Sequence, residues 1–276
     1  MYRQFWVGIV GTALLLFAGN ANAVIIDLAD IVGGGDGTGT GTLGNGIDPS
    51  TGGTAPPALF QITQTDNTNS YHSSSVNFVD GVFIPDGGAG SVTLDSAGHT
   101  YSGFPNTDSN SWDRIEYGPN QNSGTILNGV NYNSGTHSMI GLHANKGITF
   151  DLQEIIAAHP GLPFITFSAV AGITHVGGGS GTADWWVFVD GVLKQSQTNT
   201  PAGTGFAINV PLTTGNQFLT LVATDFGDGF LVDQIIFGDP RLNLQAVPEP
   251  SAIALSMAGL LALASMSRRA GQWRIV

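Results

Sequence analysis

Three groups of residues in this chain have side chains from which a site could be built. The first is Asp225, Asp228 and Asp233, gathered around Asp225-Phe226-Gly227-Asp228-Gly229. Ca²⁺ takes roughly six to eight oxygens, and two carboxylates with loop carbonyls supply part of such a shell. The EF-hand spacing is absent, and a turn in which each Asp accepts its own backbone N–H accounts for the same residues. Structural calcium is thus the one cofactor this pattern admits. The second group centres on Trp185 and Trp186, next to Asp184. Sugars present apolar C–H faces and rims of hydroxyls, so their sites pair an aromatic platform with Asp, Asn, His or Arg. His175, beside the Gly177–Gly181 run, and His143 complete this carbohydrate-binding set. Burial of both tryptophans under loops, and a backbone-bonded structural role for His143, are the competing readings.

The third group would be catalytic, and it does not assemble. Six histidines are present (His72, His99, His137, His143, His159 and His175), and none has His-Glu-x-x-His spacing. No Gly-x-Ser-x-Gly elbow occurs. The absence of cysteine removes thiolate zinc sites, iron–sulfur clusters and cysteine nucleophiles. Only Glu116 and Glu154 lie inside the body of the chain, so a paired-carboxylate glycosidase would have to rest on aspartates. No acid, base and nucleophile can be named together, and the expectation is a protein that is not an enzyme.

Charge narrows the partners. Between residues 24 and 250 there are four basic residues (Arg114, Lys146, Lys194 and Arg241) against all 20 acids, a balance of −16. Such a body repels phosphate backbones, so no nucleic-acid partner is expected.

The elements that would position these residues have a period of two. Phe206, Ile208 and Val210 alternate with polar or small neighbours, as do Leu219, Leu221 and Ala223. The run from Asp184 to Gly191 is apolar on both faces, as in a strand covered on each side. Asp80-Gly81, Asp86-Gly87, Asp190-Gly191 and Asp228-Gly229 offer positive-φ turns. Only Leu152–His159 has a helical pattern, ended by Pro160-Gly161. The fold expected over 59–242 is an all-β, antiparallel β-sandwich with one short helix. Val24–Ile31 is an apolar patch of either strand or helix type. The Gly/Thr-rich segment 24–58 is expected to lie outside the sandwich, with Gly33–Gly53 mobile, since no Gly-Lys-Ser/Thr makes the glycines a phosphate loop.

The two ends have opposite polarity. Residues 1–23 have the parts of an export signal: Arg3, the apolar run Phe5–Phe17 and the small-x-small sequence Ala21-Asn22-Ala23. Signal peptidase would cut after Ala23. At the other end, Pro248-Glu249-Pro250 in the linker 243–251 precedes an uncharged segment, read as a transmembrane helix over 252–267, and a basic tail, 268–276, with Arg268, Arg269 and Arg274. The positive-inside rule keeps that tail cytoplasmic and residues 24–250 outside.

This C-terminal arrangement resembles the PEP-CTERM sorting signal, with its Pro-Glu-Pro motif, membrane helix and basic tail. The resemblance implies an exosortase partner, a Gram-negative producer of exopolysaccharide, and a membrane-tethered intermediate later transferred to the cell surface or extracellular matrix. A second resemblance covers Gly141–Leu242. Gly141-Leu142-His143-Ala144, Ile148–Leu152, Phe167–Ile173, Val187–Gly191, Leu219–Asp228 and Asp239–Leu242 are similar, in order, to the elements of NPCBM-type modules. The stretch Leu152–Pro163 is longer than that pattern usually allows. This resemblance implies a galactose-binding-like jelly roll that binds carbohydrate without catalysis, with extracellular polysaccharide as partner. A structural matrix protein that binds no sugar is the alternative, and a glycoside hydrolase the more distant one.

Overall fold

The structure is a computed structural model that describes residues 23–55, 61–63, 69–108, 110–120, 123–174 and 181–245. The export signal (all but Ala23), the Pro248-Glu249-Pro250 motif, the apolar segment 252–267, the tail 268–276 and His175 lie outside the described residues. Among the described residues no helix is long and apolar enough to cross a membrane.

The chain begins with β1 (Ala23–Asp27), α1 (Leu28–Val32), β2 (Gly46–Ile47), β3 (Thr54–Ala55), β4 (Gln61–Thr63), β5 (Tyr71–Ser73) and β6 (Val79–Phe83). Six short strands follow: β7 (Val92–Thr93), β8 (Thr100–Tyr101), β9 (Asn110–Trp112), β10 (Ile115–Tyr117), β11 (Ile126–Leu127) and β12 (Val130–Asn131). The longer elements come last. These are β13 (Met139–His143), β14 (Lys146–Asp151), α2 (Leu152–Ala158), β15 (Phe164–Ile173) and β16 (Ala183–Val189). They continue with β17 (Val192–Thr200), β18 (Phe206–Pro211), β19 (Phe218–Thr224) and β20 (Gln234–Gln245).

Two antiparallel sheets form the expected sandwich. One runs β18-β15-β20-β13-β10-β2-β3, with β1 also paired to β20, and the other runs β17-β16-β19-β14-β6-β5. Ile140, Phe167, Ile208 and Phe237 of the first sheet share a core with Ile148, Trp185, Val187 and Leu221 of the second. Side-chain alternation along β16 decides the rest. Trp185, Val187 and Val189 point into this core, whereas Trp186 and Phe188 point outward against Phe83, Val92, Leu94, Phe104 and Val222. The segment carrying β7 and β8 covers that outer face, which is why β16 is apolar on both sides.

Local chemistry explains most boundaries. Asp190 and Gly191, at φ 48° and 71°, make the tight turn between β16 and β17. Asp151 caps α2 by accepting the N–H groups of Gln153 and Glu154 at 2.8 and 2.9 Å. The other Asp-Gly pairs do different work. Asp86 caps a 3-10 turn at Gly87–Ala89, and Asp228-Gly229 lies in a long loop. Asp80-Gly81 sits inside β6, where a Cβ on Gly81 would meet the Tyr71 ring at 2.4 Å, so this glycine admits a neighbour rather than a turn.

The N-terminal segment corrects the expected boundary. The compact unit is Ala23–Gln245, so the described part of the N-terminal segment, 24–55, lies within the sandwich, and the strand β20 extends past residue 242. β1 pairs with the second half of β20 from Ala23↔Gln245 to Asp27↔Arg241. A second short helix, α1, follows, and Leu28, Ala29, Ile31 and Val32 enter the core. The glycine run is tied down rather than mobile. The buried Asp30 carboxylate accepts the N–H groups of Gly37 and Gly41 at 2.7 and 2.6 Å, and Asp27 N–H donates to Gly37 O. A Cβ at Gly41 would stand 2.2 Å from Asp30 O, which is why the close approach needs glycine. Asp30→Ala leaves the buried Gly37 amide and the half-buried Gly41 amide unpaired, and urea unfolding should register a loss of roughly 2–4 kcal/mol.

Candidate functional site

The site lies at one end of the sandwich, where β13 turns into β14. Four consecutive residues there reach the loops around them. The His143 ring is buried edge-on against Phe230, with centroids 5.8 Å apart, and its Nδ1 lies 2.9 Å from Ala144 O. Asn145 is fully buried. Its Nδ2 donates to Asn110 O and Asp225 Oδ2 at 3.2 and 3.1 Å, and its Oδ1 accepts Asp225 N–H at 2.8 Å. Lys146, also fully buried, donates from Nζ to the carbonyls of Trp112 and His143. Trp112 in turn stacks on Phe230, with centroids 6.5 Å apart and planes 17° from parallel. The corner His143–Lys146 thereby fixes β9 and the loop after β19 to one another.

That loop, 225–233, interlocks with the segment before β9. Asp225 accepts Asp108 N–H at 3.0 Å and Gly227 N–H at 3.0 Å, while Asp108 accepts Phe230 N–H at 3.4 Å. Its surface is unusual for an acidic loop. Phe226 is 42% exposed, Leu231 76% and Val232 43%. Phe226 and Val232 hold φ values of 57° and 63°, a left-handed conformation that is uncommon for an aromatic residue and an outlier for a β-branched one.

Burial sets the electrostatics. It pushes the Asp233 carboxyl up to about 9, with Asp228 and then Asp225 adding to the effect. Burial also lifts Asp184 to about 6, against the Asn199 N–H bond at 2.8 Å and the Thr224 hydroxyl. His143 is driven down to about 3 by burial and then by the Lys146 charge. The Lys146 ammonium falls to about 7 through burial, opposed by Asp113 and Glu116. Behind it Arg114 Nη2 lies 2.6 Å from Glu116 Oε1, and burial raises Glu116 to about 7.

The residues expected from sequence divide accordingly. His143, Asp225, Asp228 and Asp233 come together at this end. Asp184 lies opposite Thr224 in the neighbouring strand, one residue before Asp225. The expected tryptophan platform does not form. Trp185 and Trp186 are 1% and 6% exposed, one in each core layer, so neither offers a face to a ligand. His175 lies outside the described residues. For the calcium expectation, no group of three or more His, Asp or Glu side chains that could hold a metal is present among the described residues. Sequence reasoning missed Asp108, Trp112, Asn145, Lys146 and Phe226. Asn145 and Lys146 directly follow the Gly-Leu-His-Ala element, a signal that could have found them. Asp108 and Trp112 sit in an irregular stretch with no period to mark them.

Two antiparallel sheets with a polar and aromatic loop cluster at one end define an all-β sandwich. More specifically, the NPCBM/NEW2 domain profile matches residues 94–243, over half of the chain, and the chain belongs to that family. No curated protein matches it. Among solved structures, the chain is similar to the CBM51 of Clostridium perfringens GH95 in complex with methyl-galactose. That likeness has 25% identity over 44% of this chain and 78% of the other, with a TM-score of 0.35. It is similar to CBM51-2 with the INT domains of Clostridium perfringens ZmpB, in complex with GlcNAc. There identity is 14% over 73% of this chain and 44% of the other, with a TM-score of 0.37. A family 35 carbohydrate binding module from an environmental isolate has 18% identity over 48% and 88%, with a TM-score of 0.27. At such scores the likeness does not extend to a ligand or a site.

Proposed function

We propose that this protein is an exported, non-catalytic carbohydrate-binding module of galactose-binding-like type that binds extracellular polysaccharide through the loop end around Phe226. The observation that carries this reading is Phe226 itself. An aromatic ring is held exposed at a strained φ, between Asp225 and Asp228, on a loop braced by the Trp112–Phe230 stack. Strain of this kind persists where surrounding structure enforces it, and it clusters at ligand sites. An exposed ring near the exposed Asp228 carboxylate matches the apolar face and hydroxyl rim of a sugar. Membership of the NPCBM/NEW2 family supports the same reading. The export signal and the Pro248-Glu249-Pro250 segment belong to this proposal. Signal peptidase and an exosortase act during export, with the membrane-tethered form an intermediate on the way to the surface or matrix.

A glycan array followed by titration calorimetry tests the binding. Phe226→Ala should weaken the best glycan about tenfold (1–2 kcal/mol) through lost stacking, with the melting temperature unchanged. Binding unaltered by this change would move the site elsewhere, and no binding to any glycan would favour the structural matrix role. For the export claim, the mature protein from its host should begin at Val24 and end near Val247–Ser251 by mass spectrometry. A surface protein ending at Val276 would remove the sorting step.

A further inference from the structure

Among the described strands, the sheet edges are unequal. The first sheet ends in β18 and β3, and the second in β17 and β5. β3 has two residues and β5 three, β18 closes on Pro211, and the side strand β1 gives its Asp27 N–H to Gly37 O. β17, by contrast, has nine residues and no proline. A strand at an edge presents a row of unpaired N–H and C=O groups, and natural proteins blunt such rows by shortness, proline, charge or a covering segment. Lys194 is the single charge on β17, and it falls at a register shift against β16, so the ladder is regular from Gln195 to Gln197.

The direction of the free groups follows from the turn. The two-residue Asp190-Gly191 hairpin makes Val189↔Val192 a pair that exchanges both hydrogen bonds, and such pairs alternate along β16. Val187↔Gln195 and Trp185↔Gln197 are then bonded pairs, whereas Ser196, opposite Trp186, turns its N–H and C=O away from the sheet. Further along, Thr198 O accepts from the Gln197 side chain at 2.9 Å, an exposed bond that a partner's amide can replace.

Charge decides what can approach this edge. The body of the chain carries −16, yet none of the 20 acids falls in the 34 residues from Gly191 to Thr224, which hold β17, β18 and β19. Gln195 Nε2 donates to Ala207 O of β18 at 2.9 Å, so two acid-free edges stand side by side. The flanking acids are engaged, Asp184 by Asn199 N–H and Asp190 by the N–H groups of Gln217 and Phe218. Two copies of so acidic a body repel one another least across this side. Antiparallel pairing about a two-fold axis also needs no second sequence, because each copy brings the same edge.

We propose that β17 is a self-association edge. Two copies pair antiparallel through it about a two-fold axis near Ser196, joining their six-stranded sheets into one continuous sheet. The pair stands whether or not the Phe226 loops bind sugar.

Sedimentation velocity of the full-length chain in a mild detergent, over a range of concentrations, tests this. The wild type should pass from monomer to dimer as concentration rises, and dissociate on dilution, because one strand pair buries a modest area. Ser196→Glu sets two carboxylates opposite each other across the axis and should weaken the dimer about fivefold, and Ser196→Lys should do the same with two ammonium groups. An equal mixture of the two variants should recover the wild-type affinity through Glu–Lys pairs. Unchanged melting temperatures would show that each variant is folded. Association through any other part of the chain, the apolar C-terminal segment included, would be untouched by both. The proposal is overturned by a wild type that stays monomeric throughout, by a dimer that both variants leave unchanged, or by a mixture no tighter than either variant alone. Phe226→Ala should leave the dimer as it is, which keeps this edge apart from the sugar reading.

Discussion

Trp186→Ala is expected to remove about 3–5 kcal/mol of unfolding free energy, the range for deleting a large buried aromatic. The ring stands in the outer layer of the sandwich, 5.5 Å from Phe104 and 5.9 Å from Tyr101 between centroids, and its Nε1–H donates to Thr224 Oγ1 at 3.1 Å. Truncation leaves a cavity between β16 and the segment that covers it, and the Thr224 hydroxyl keeps only its bond to Asp184. Trp185→Ala should cost as much on the other face, where the ring packs in the main core near Phe206. Urea unfolding measures both. A loss below about 1 kcal/mol would mean that these rings are not packed. The comparison with Phe226→Ala is the informative one, because it should change affinity without changing stability. Tryptophan variants that stay folded yet lose glycan binding would return the platform to β16.

That reversal marks where sequence reading stopped. The alternation in β18 and β19, the two apolar faces of β16, the helix after Asp151 and the turn at Asp190-Gly191 were legible, because period and turn chemistry are local properties. Which segment covers the second face of β16, and how completely, is not local. It depends on Val92, Leu94 and Phe104, about 80 to 95 residues earlier in the chain. The same holds for the glycine run. Its composition suits a spacer, yet a single buried carboxylate, Asp30, gathers its amides, and the β1–β20 pairing joins residues more than 200 positions apart. At the candidate site the aspartates were visible as a cluster, and His143 stood within a recognisable element. What the sequence could not display is which of them is satisfied. Asp225 and Asp233 are both buried aspartates of one loop, and only the hydrogen bonds separate a structural group from an unpartnered one.

The second large effect is acid sensitivity carried by His143. Its folded value, about 3, lies below the ordinary 6.5, because burial and the neighbouring Lys146 disfavour the imidazolium. The unfolded chain therefore binds a proton that the folded one refuses. Stability from this residue is complete above about 6.5 and is lost as the pH falls toward 3. Between pH 6.5 and pH 4 that amounts to about 3 kcal/mol. Asp184, Asp233 and Glu116 act with the opposite sign. Their folded values are raised, so their contribution is full below the unfolded carboxylate range and declines as pH rises toward about 6, 9 and 7. The stability profile of the wild type is thus a composite, and only a difference curve isolates the histidine. In His143→Gln, which keeps a donor for Ala144 O, the acid limb should flatten. The wild-type advantage at pH 7 should shrink by about 3 kcal/mol at pH 4 in urea unfolding. Parallel curves across that range would mean that the imidazole takes up its proton within the fold, against both the burial of the ring and the lysine beside it.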